Sequence, residues 1–266
     1  MNFVKLFAAG RDYIFLNDKN AFEIIKGADA VGLCDRKKGI GADGIFSLLQ
    51  KDGKNSQIKG FWYNGEIMQD FSAASICAAF VLLCEKNIKA HTFSGENGEF
   101  FIVSDRLSDN EALVSCDMGK GEFNLKYPAI KRKTQLGNRI LTLTAVKLHG
   151  IHTVHFSECK DMLDLIYLGE KVSRNSLFEK RADFVLCQKN GTDLFEIDYY
   201  ENNTGYRYPV LSAFTAAALC ACKTGEAKYN EEIRISCKDS DAFVVCKENN
   251  EAILQCTVRK VFEGKL

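Results

Sequence analysis

Two segments of this chain are apolar on nearly every position for about three to four helical turns. The first runs Ser72-Ala-Ala-Ser-Ile-Cys-Ala-Ala-Phe-Val-Leu-Leu-Cys84 and the second Ser212-Ala-Phe-Thr-Ala-Ala-Ala-Leu-Cys-Ala-Cys222. A helix with no polar face must be covered on all sides. Neither segment reaches the ~18 residues of a membrane span, so each needs its own surrounding layer of protein. Both begin Ser-Ala, carry a hydroxyl three positions after that serine (Ser75, Thr215), and end in cysteine. Each also follows a strand-like run and a polar turn. The chain therefore reads as two copies of one unit, and 266 residues is the length of two ordinary lobes.

The rest of the chain supplies strands to cover those helices. In the first half, alternating or apolar runs occupy Phe3–Leu6, Tyr13–Leu16, Ile45–Leu49, Ile58–Tyr63, His91–Phe93, Glu99–Val103 and Ala112–Cys116. Asn20 to Gly27 reads as a short helix and Ala28 to Leu33 as a strand or turn. In the second half, strands are expected at Leu141–Lys147, Val154–Phe156, Ala182–Gln188, Leu194–Tyr200, Glu232–Cys237, Ala242–Cys246 and Ile253–Val258. A helix is expected near Lys160 to Leu168, and a turn at Asn202-Asn203-Thr204-Gly205. Ser72 and Ser212 each read as the N-cap of the helix they open.

Charge excludes some partners. Lysine plus arginine equals aspartate plus glutamate at 35 each, which points to neither nucleic acid nor an anionic membrane. The basic run Lys131-Arg132-Lys133 is short enough to be a solvated turn. Without a leader-like N-terminus, a cytoplasmic protein is expected. The eleven cysteines fall mostly within apolar runs, where free thiols behave as small buried hydrophobes. Cys220 and Cys222 form a C-x-C pair whose side chains point to different helix faces. The four histidines lack metal-ligand spacing, so no metal is expected.

The segment Arg36-Lys-Lys-Gly-Ile-Gly-Ala-Asp-Gly-Ile45 resembles the R-x-x-G-I-G-A-D-G/Q-L segment of diaminopimelate epimerases. Further segments follow in the family's order. Gly10-Arg11-Asp12-Tyr13 resembles G-N-D-F. Asn64-Gly65 and Phe71-Ser72-Ala73-Ala74 fall on N-x-D-G-S-E-x-x-M-C-G-N-G. Cys116-Asp117-Met118-Gly119 resembles V-D-M-G, and Leu148 to Val154 resembles M-G-N-P-H-x-V. Glu201 to Gly205 resembles E-R-G-x-G, Leu211 to Ala216 falls on A-C-G-T-G-A, and Val261 to Gly264 resembles the final strand.

That resemblance implies an α+β fold of two pseudo-symmetric lobes, each a mixed barrel-like sheet around a central buried helix. The lobes are expected at 1–122 plus 258–266 and at 123–257, with the substrate in the cleft between them. It implies cofactor-independent inversion of an amino-acid Cα. One group takes the α-proton while another delivers a proton to the opposite face, so each must serve as both acid and base. The family uses two cysteines. Here those places fall on Ser72 and Ser212 or, counted without gaps, on Phe71 and Val210; both thiols are replaced either way. The family's substrate-binding places map to Arg11, Asn64, Ala73, Ala74, Gly150, His152, Glu201, Ala213 and Phe214.

Several of these places differ from the family. Arg11, Ala73-Ala74-Ser75, Gly150 and Asn202 stand where it has asparagine, G-N-G, asparagine and arginine. The family's asparagine near Ala182 has no match. Diaminopimelate itself is therefore a poor expectation. A related isomerase acting on another small acid is one reading, using Ser72 and Ser212 or a pair such as Asp70 with Tyr206. A non-catalytic descendant that binds a small anionic ligand or a protein partner is the other; Phe71, Phe214 or Tyr208 plugging the cleft would favour it. The ligand is expected to be a small molecule, with amino acids first among the candidates, and no cofactor is expected. A homodimer is among the assemblies left open.

Overall fold

The computed structural model describes residues 1–18, 20–68, 70–95, 98–126, 128–178, 181–202, 205–206, 209–238 and 240–266, without the side chains of Met162 and Tyr206. The chain divides into two compact units, Met1–Asp117 with Gln255–Leu266, and Met118–Leu254. Among the described residues, no helix is long and apolar enough to cross a membrane.

The first unit opens with strands β1 (Asn2–Ala8) and β2 (Arg11–Asn17). Helices α1 (Ala21–Ile24) and α2 (Gly27–Leu33) follow. Ala28 to Leu33 is thus helical rather than extended: Asp29 bonds back to the Lys26 N–H at 2.7 Å and anchors the first turn. Next come β3 (Gly44–Gln50), β4 (Asn55–Trp62), α3 (Ser72–Lys86), β5 (Ala90–Gly95), β6 (Gly98–Arg106) and β7 (Glu111–Lys120). Neighbouring strands pair in the order β1 to β7. The later residues of β16 (Glu251–Lys265) pair with β7 and, antiparallel, with β1, which closes an eight-stranded barrel. Closure leaves the unit no free sheet edge.

Helix α3 fills that barrel. Ser72 through Leu83 are all buried, and the helix packs against β6, β1, β2, β4 and β5. Each fully buried Ile, Leu, Val or Phe contributes about 1.5–3 kcal/mol relative to exposure, so the apolar residues of α3 anchor the unit. Asn87, left-handed at φ 54, ends the helix.

The second unit contains β8 (Arg132–Leu136), β9 (Arg139–Lys147), β10 (Ile151–Ser157), α4 (Leu165–Ser173), β11 (Ala182–Lys189), β12 (Leu194–Glu201) and the short β13 (Gly205–Tyr206). It continues with α5 (Leu211–Thr224), β14 (Glu232–Cys237), β15 (Ser240–Cys246) and the first residues of β16. The expected helix at Lys160–Leu168 begins later, because Asp164 caps Tyr167 N–H at 2.9 Å and starts α4 there. Arg132 and Lys133 are exposed, but they open β8 rather than forming a turn. Helix α5 is buried from Leu211 through Cys222 and packs against β9, β10, β11, β12, β14 and β15.

The two units share one pairing scheme. In the first, β1–β2 is antiparallel, β2–β3 parallel, β3–β4 antiparallel and β4–β5 parallel. In the second, β9–β10, β10–β11, β11–β12 and β12–β14 repeat that sequence of senses. In both, the buried helix is the crossover of the second parallel pair. A parallel pair requires such a crossover, and this one is covered because its sheet curls around it.

Candidate active site

In the first unit, Ser72, Ala73 and Ala74 lie where α3 begins. Ser72 is the first helical residue and is fully buried. It is not the N-cap, contrary to expectation. Phe71 holds the N-cap position, and Asp70, one residue before it, supplies the side-chain acceptor. Its Oδ1 accepts the Ser72 backbone N–H at 3.0 Å and the Ser72 hydroxyl at 2.6 Å. The short hydroxyl contact is that of a charge-assisted bond. Ala73 and Ala74 are the next two residues of the first helical turn, whose N–H groups lack intrahelical acceptors. Ser75 donates to the Phe71 carbonyl one turn back at 3.0 Å.

Arg11 opens β2 and is 4% exposed, its guanidinium 5.0 Å over the Trp62 ring. Two residues on, Tyr13 has its hydroxyl wholly buried. Burial pushes its pKa well above the ordinary phenol value, with the Arg11 charge opposing and Asp43 and Asp70 reinforcing the rise. Asn64 does not join this group. It is exposed on the turn after β4, and its Oδ1 accepts the Glu66 N–H at 3.0 Å. Phe71 is turned into its own barrel, edge-on to Phe100 at 5.0 Å, against the space left by the bare Gly95.

The loop Gly39–Gly44 is structural. Of its glycines only Gly41 has positive φ, at 77°; the others are required by close approach rather than by backbone sign. A Cβ on Gly39 would lie 2.3 Å from the Gly32 carbonyl oxygen. Gly41 and Ala42 N–H groups take the Leu33 and Cys34 carbonyls at the end of α2. Asp43 and Asp12 exchange backbone-to-carboxylate bonds at 3.1 Å, and Arg36 bridges both carboxylates at 2.7 to 3.0 Å. Burial raises the Asp12 carboxyl, but Arg36 and Lys5 overcome that and hold it at about 2. Burial and the neighbouring Asp12 raise Asp43.

In the second unit, His152 and Asp183 face each other on one rung of the parallel pair β10–β11. Asp183 Oδ2 lies 3.5 Å from His152 Nδ1 and accepts the Tyr199 hydroxyl at 2.8 Å; its Oδ1 accepts the Asn202 N–H at 2.8 Å. The pair holds the place of Asp12 and Asp43 in the first unit. Gly44, after Asp43, pairs with Trp62, as Phe184, after Asp183, pairs with Tyr200. Sequence reading named His152 but missed Asp183 and Tyr199. The available signal was an acidic residue opening the otherwise apolar run Ala182–Gln188.

Gly150 forms the turn before β10, and a Cβ there would stand 3.8 Å from His152 Nε2. Glu201 ends β12, half-buried. Ser212 is buried as the second residue of α5, whose N-cap is Val210, so here too the serine is not the cap. The Ala213 and Phe214 N–H groups both go to the Val210 carbonyl, at 2.9 and 3.4 Å. They are therefore committed to the helix, and the Phe214 side chain is fully buried. Thr215 donates to the Leu211 carbonyl at 2.9 Å, as Ser75 does to Phe71, so Ser72 and Ser212 occupy matching places. Asn203, Thr204, Tyr208 and the Tyr206 side chain lie outside the described residues.

Neither helix start carries a thiol. Cys77 and Cys220 are fully buried deeper in α3 and α5, and burial pushes both well above the ordinary thiol value.

No family model matches the chain. The diaminopimelate epimerase of Caldanaerobacter subterraneus subsp. tengcongensis is 22% identical over 280 residues, spanning all of this chain and 99% of that enzyme. A structure described as a predicted epimerase from Pseudomonas aeruginosa superposes with a TM-score of 0.76 at 12% identity, covering 100% of this chain and 98% of the other. One described as a probable proline racemase from Agrobacterium radiobacter gives 0.70 at 10% identity, covering 100% and 92%. These likenesses place the chain in the epimerase and racemase fold.

Proposed function

Because the chain is a divergent relative of the diaminopimelate epimerases, we propose that it is a cofactor-independent isomerase that moves a proton at the carbon next to a carboxylate. Its substrate is a small acid other than diaminopimelate. The observation that carries this reading is the Asp70–Ser72 contact at the start of α3, 2.6 Å between carboxylate and hydroxyl. A serine alone is too weak an acid to replace a thiol and needs a neighbouring base. Asp70 is that base. It accepts a proton as a carboxylate and returns it as a carboxylic acid, with the Ser72 hydroxyl as the polar contact that orients it.

The substrate carboxylate is held by the first-turn N–H groups of Ala73 and Ala74, where the helix dipole favours an anion, with Arg11 supplying positive charge. Diaminopimelate is disfavoured because Arg11, Ala73-Ala74-Ser75, Gly150 and Asn202 stand where the family resemblance expects the groups that hold its two amino-acid ends. Asn64 is engaged in its own turn, and the Ala213 and Phe214 N–H groups are spent on Val210.

The test is proton exchange in D₂O, with the Cα–H signal followed by NMR for L,L-diaminopimelate and a panel of L-amino acids. Exchange with at least one monocarboxylic amino acid, abolished in Asp70→Asn, is the expected result. A second reading, a non-catalytic binder of a small anion, rests on the committed N–H groups of α5. Silence across the panel from folded protein, together with a carboxylate-dependent rise in Tm, would establish it instead.

A further inference from the structure

Asp183 is one of the most constrained carboxylates among the described residues, and the isomerase reading leaves it without a role. Both of its oxygens are held. Oδ2 takes the hydroxyl of Tyr199, which is 1% exposed, and Oδ1 takes the Asn202 backbone N–H, each at 2.8 Å. Its backbone carbonyl also accepts the Thr153 hydroxyl at 2.8 Å, which fixes the rung that joins β11 to β10. The group that this fixed anion faces is the imidazole of His152, 1% exposed, with Nδ1 3.5 Å from Oδ2.

An imidazole beside a rigid carboxylate keeps its proton on the nitrogen that faces the anion, because the other tautomer would aim a lone pair at negative charge. Nε2 then carries the lone pair and can accept a proton. That nitrogen is the one nearest the bare Gly150 turn. A buried base held by a fixed third group is a recurrent arrangement in acid–base catalysis.

We infer that Asp183 is a positioning residue that fixes His152 as the Nδ1–H tautomer, with Nε2 as its proton-accepting atom, and that Tyr199 holds Asp183 in place. The inference rests on the isomerase reading for its role in turnover. In that role His152 takes a proton at Nε2, becomes imidazolium stabilised by Asp183, and gives the proton back, so no net charge or redox change is needed.

The test is long-range ¹H–¹⁵N NMR of the histidine side chains in ¹⁵N-labelled protein, which carries only four histidines. His152→Gln assigns the resonance. The expected result is an Nδ1–H tautomer for His152 in the wild type, converted to a mixture or to Nε2–H in Asp183→Ala. Tyr199→Phe is expected to give a smaller change in the same direction. An Nε2–H tautomer in the wild type, or a pattern unchanged in both variants, overturns the inference. If Asp183→Ala fails to fold, Asp183→Asn and Tyr199→Phe carry the same comparison. Where exchange activity is found, Asp183→Ala is expected to lower kcat on the order of a hundredfold with KM little changed. Absence of exchange with every acid would count against the isomerase reading alone, since the tautomer is read without turnover.

Discussion

One oxygen of Asp70 accepts both the backbone N–H and the hydroxyl of Ser72, at 3.0 and 2.6 Å. Ser72 is thus a donor to a carboxylate two residues upstream. The aspartate, just before the N-cap Phe71, holds both the N–H and the hydroxyl of the helix's first residue.

This arrangement makes Asp70 the more important of the two for stability. Asp70→Ala removes the acceptor of the Ser72 N–H at a buried helix start and is expected to cost about 1–2 kcal/mol. Ser72→Ala leaves the backbone bond intact and is expected to cost less. Urea unfolding midpoints would decide; a larger loss from Ser72→Ala would show that the serine, not the aspartate, holds the helix start.

Acid stability should depend on Arg36. Asp12 is held at about 2 in the folded protein against 3.8 for the free side chain. Its contribution is therefore fully present above about 3.8 and is lost as pH falls towards 2. Asp43, raised by burial and by Asp12, has the opposite sign: its contribution is present at low pH and lost as pH rises through its folded value. Arg36→Gln takes the shared cation from both. The Asp12 value then rises towards 3.8, its contribution shrinks, and less stability is left to resist acid. Because the guanidinium is more than half exposed, solvent discounts the effect. The acid-unfolding midpoint, followed by circular dichroism, is expected to move up by on the order of half a pH unit.

Thiol labelling should separate the cysteines by burial. Cys159 is exposed, whereas Cys77 and Cys220 are fully buried with values pushed well above the ordinary thiol range. Iodoacetamide at pH 7.5, read by peptide mass spectrometry, is expected to modify Cys159 first and to leave Cys77 and Cys220 unmodified until the protein is unfolded. Rapid native labelling of either thiol would show that its helix is accessible to solvent, contrary to its burial here.

Gly169 should not tolerate alanine although it lies within helix α4. Replacing a helical glycine with alanine ordinarily gains about 1 kcal/mol. Here the new Cβ would stand 2.2 Å from Tyr200 Cγ, and overpacking costs about 1–3 kcal/mol or more. Gly169→Ala is expected to lower Tm, measured by calorimetry, since the ring of Tyr200 is held on β12 and cannot withdraw without moving the strand.

Much of the architecture was legible in the sequence, because it is written in local periodicity. A helix apolar on all faces must be enclosed, and strand-like runs around each copy supply the enclosure. Ser72–Cys84 and Ser212–Cys222 therefore announced two repeated units, each with an enclosed helix, while the barrel-like sheet came from the family resemblance. In the loop Gly39–Gly44, Gly39 is set by close approach to the end of α2, Gly44 by approach to Met68 and Phe61, and only Gly41 by positive φ.

The chemistry was not legible in the same way. Whether Ser72 caps its helix or donates to Asp70 depends on the exact residue at which α3 begins, and no periodicity specifies that. The Ala213 and Phe214 N–H groups look equivalent to those of Ala73 and Ala74 in sequence, yet α5 starts one residue earlier relative to its serine, and Val210 consumes them. Asp183 meets His152 only because β10 and β11 pair in parallel with those two residues on one rung. The sequence by itself determined which segments must be buried, because burial follows from side-chain polarity repeated along a helix or strand. Only the tertiary structure decided which polar atoms face one another, because a hydrogen bond is set to within tenths of an ångström by strand register and helix start, and neither is encoded in the residues that form it.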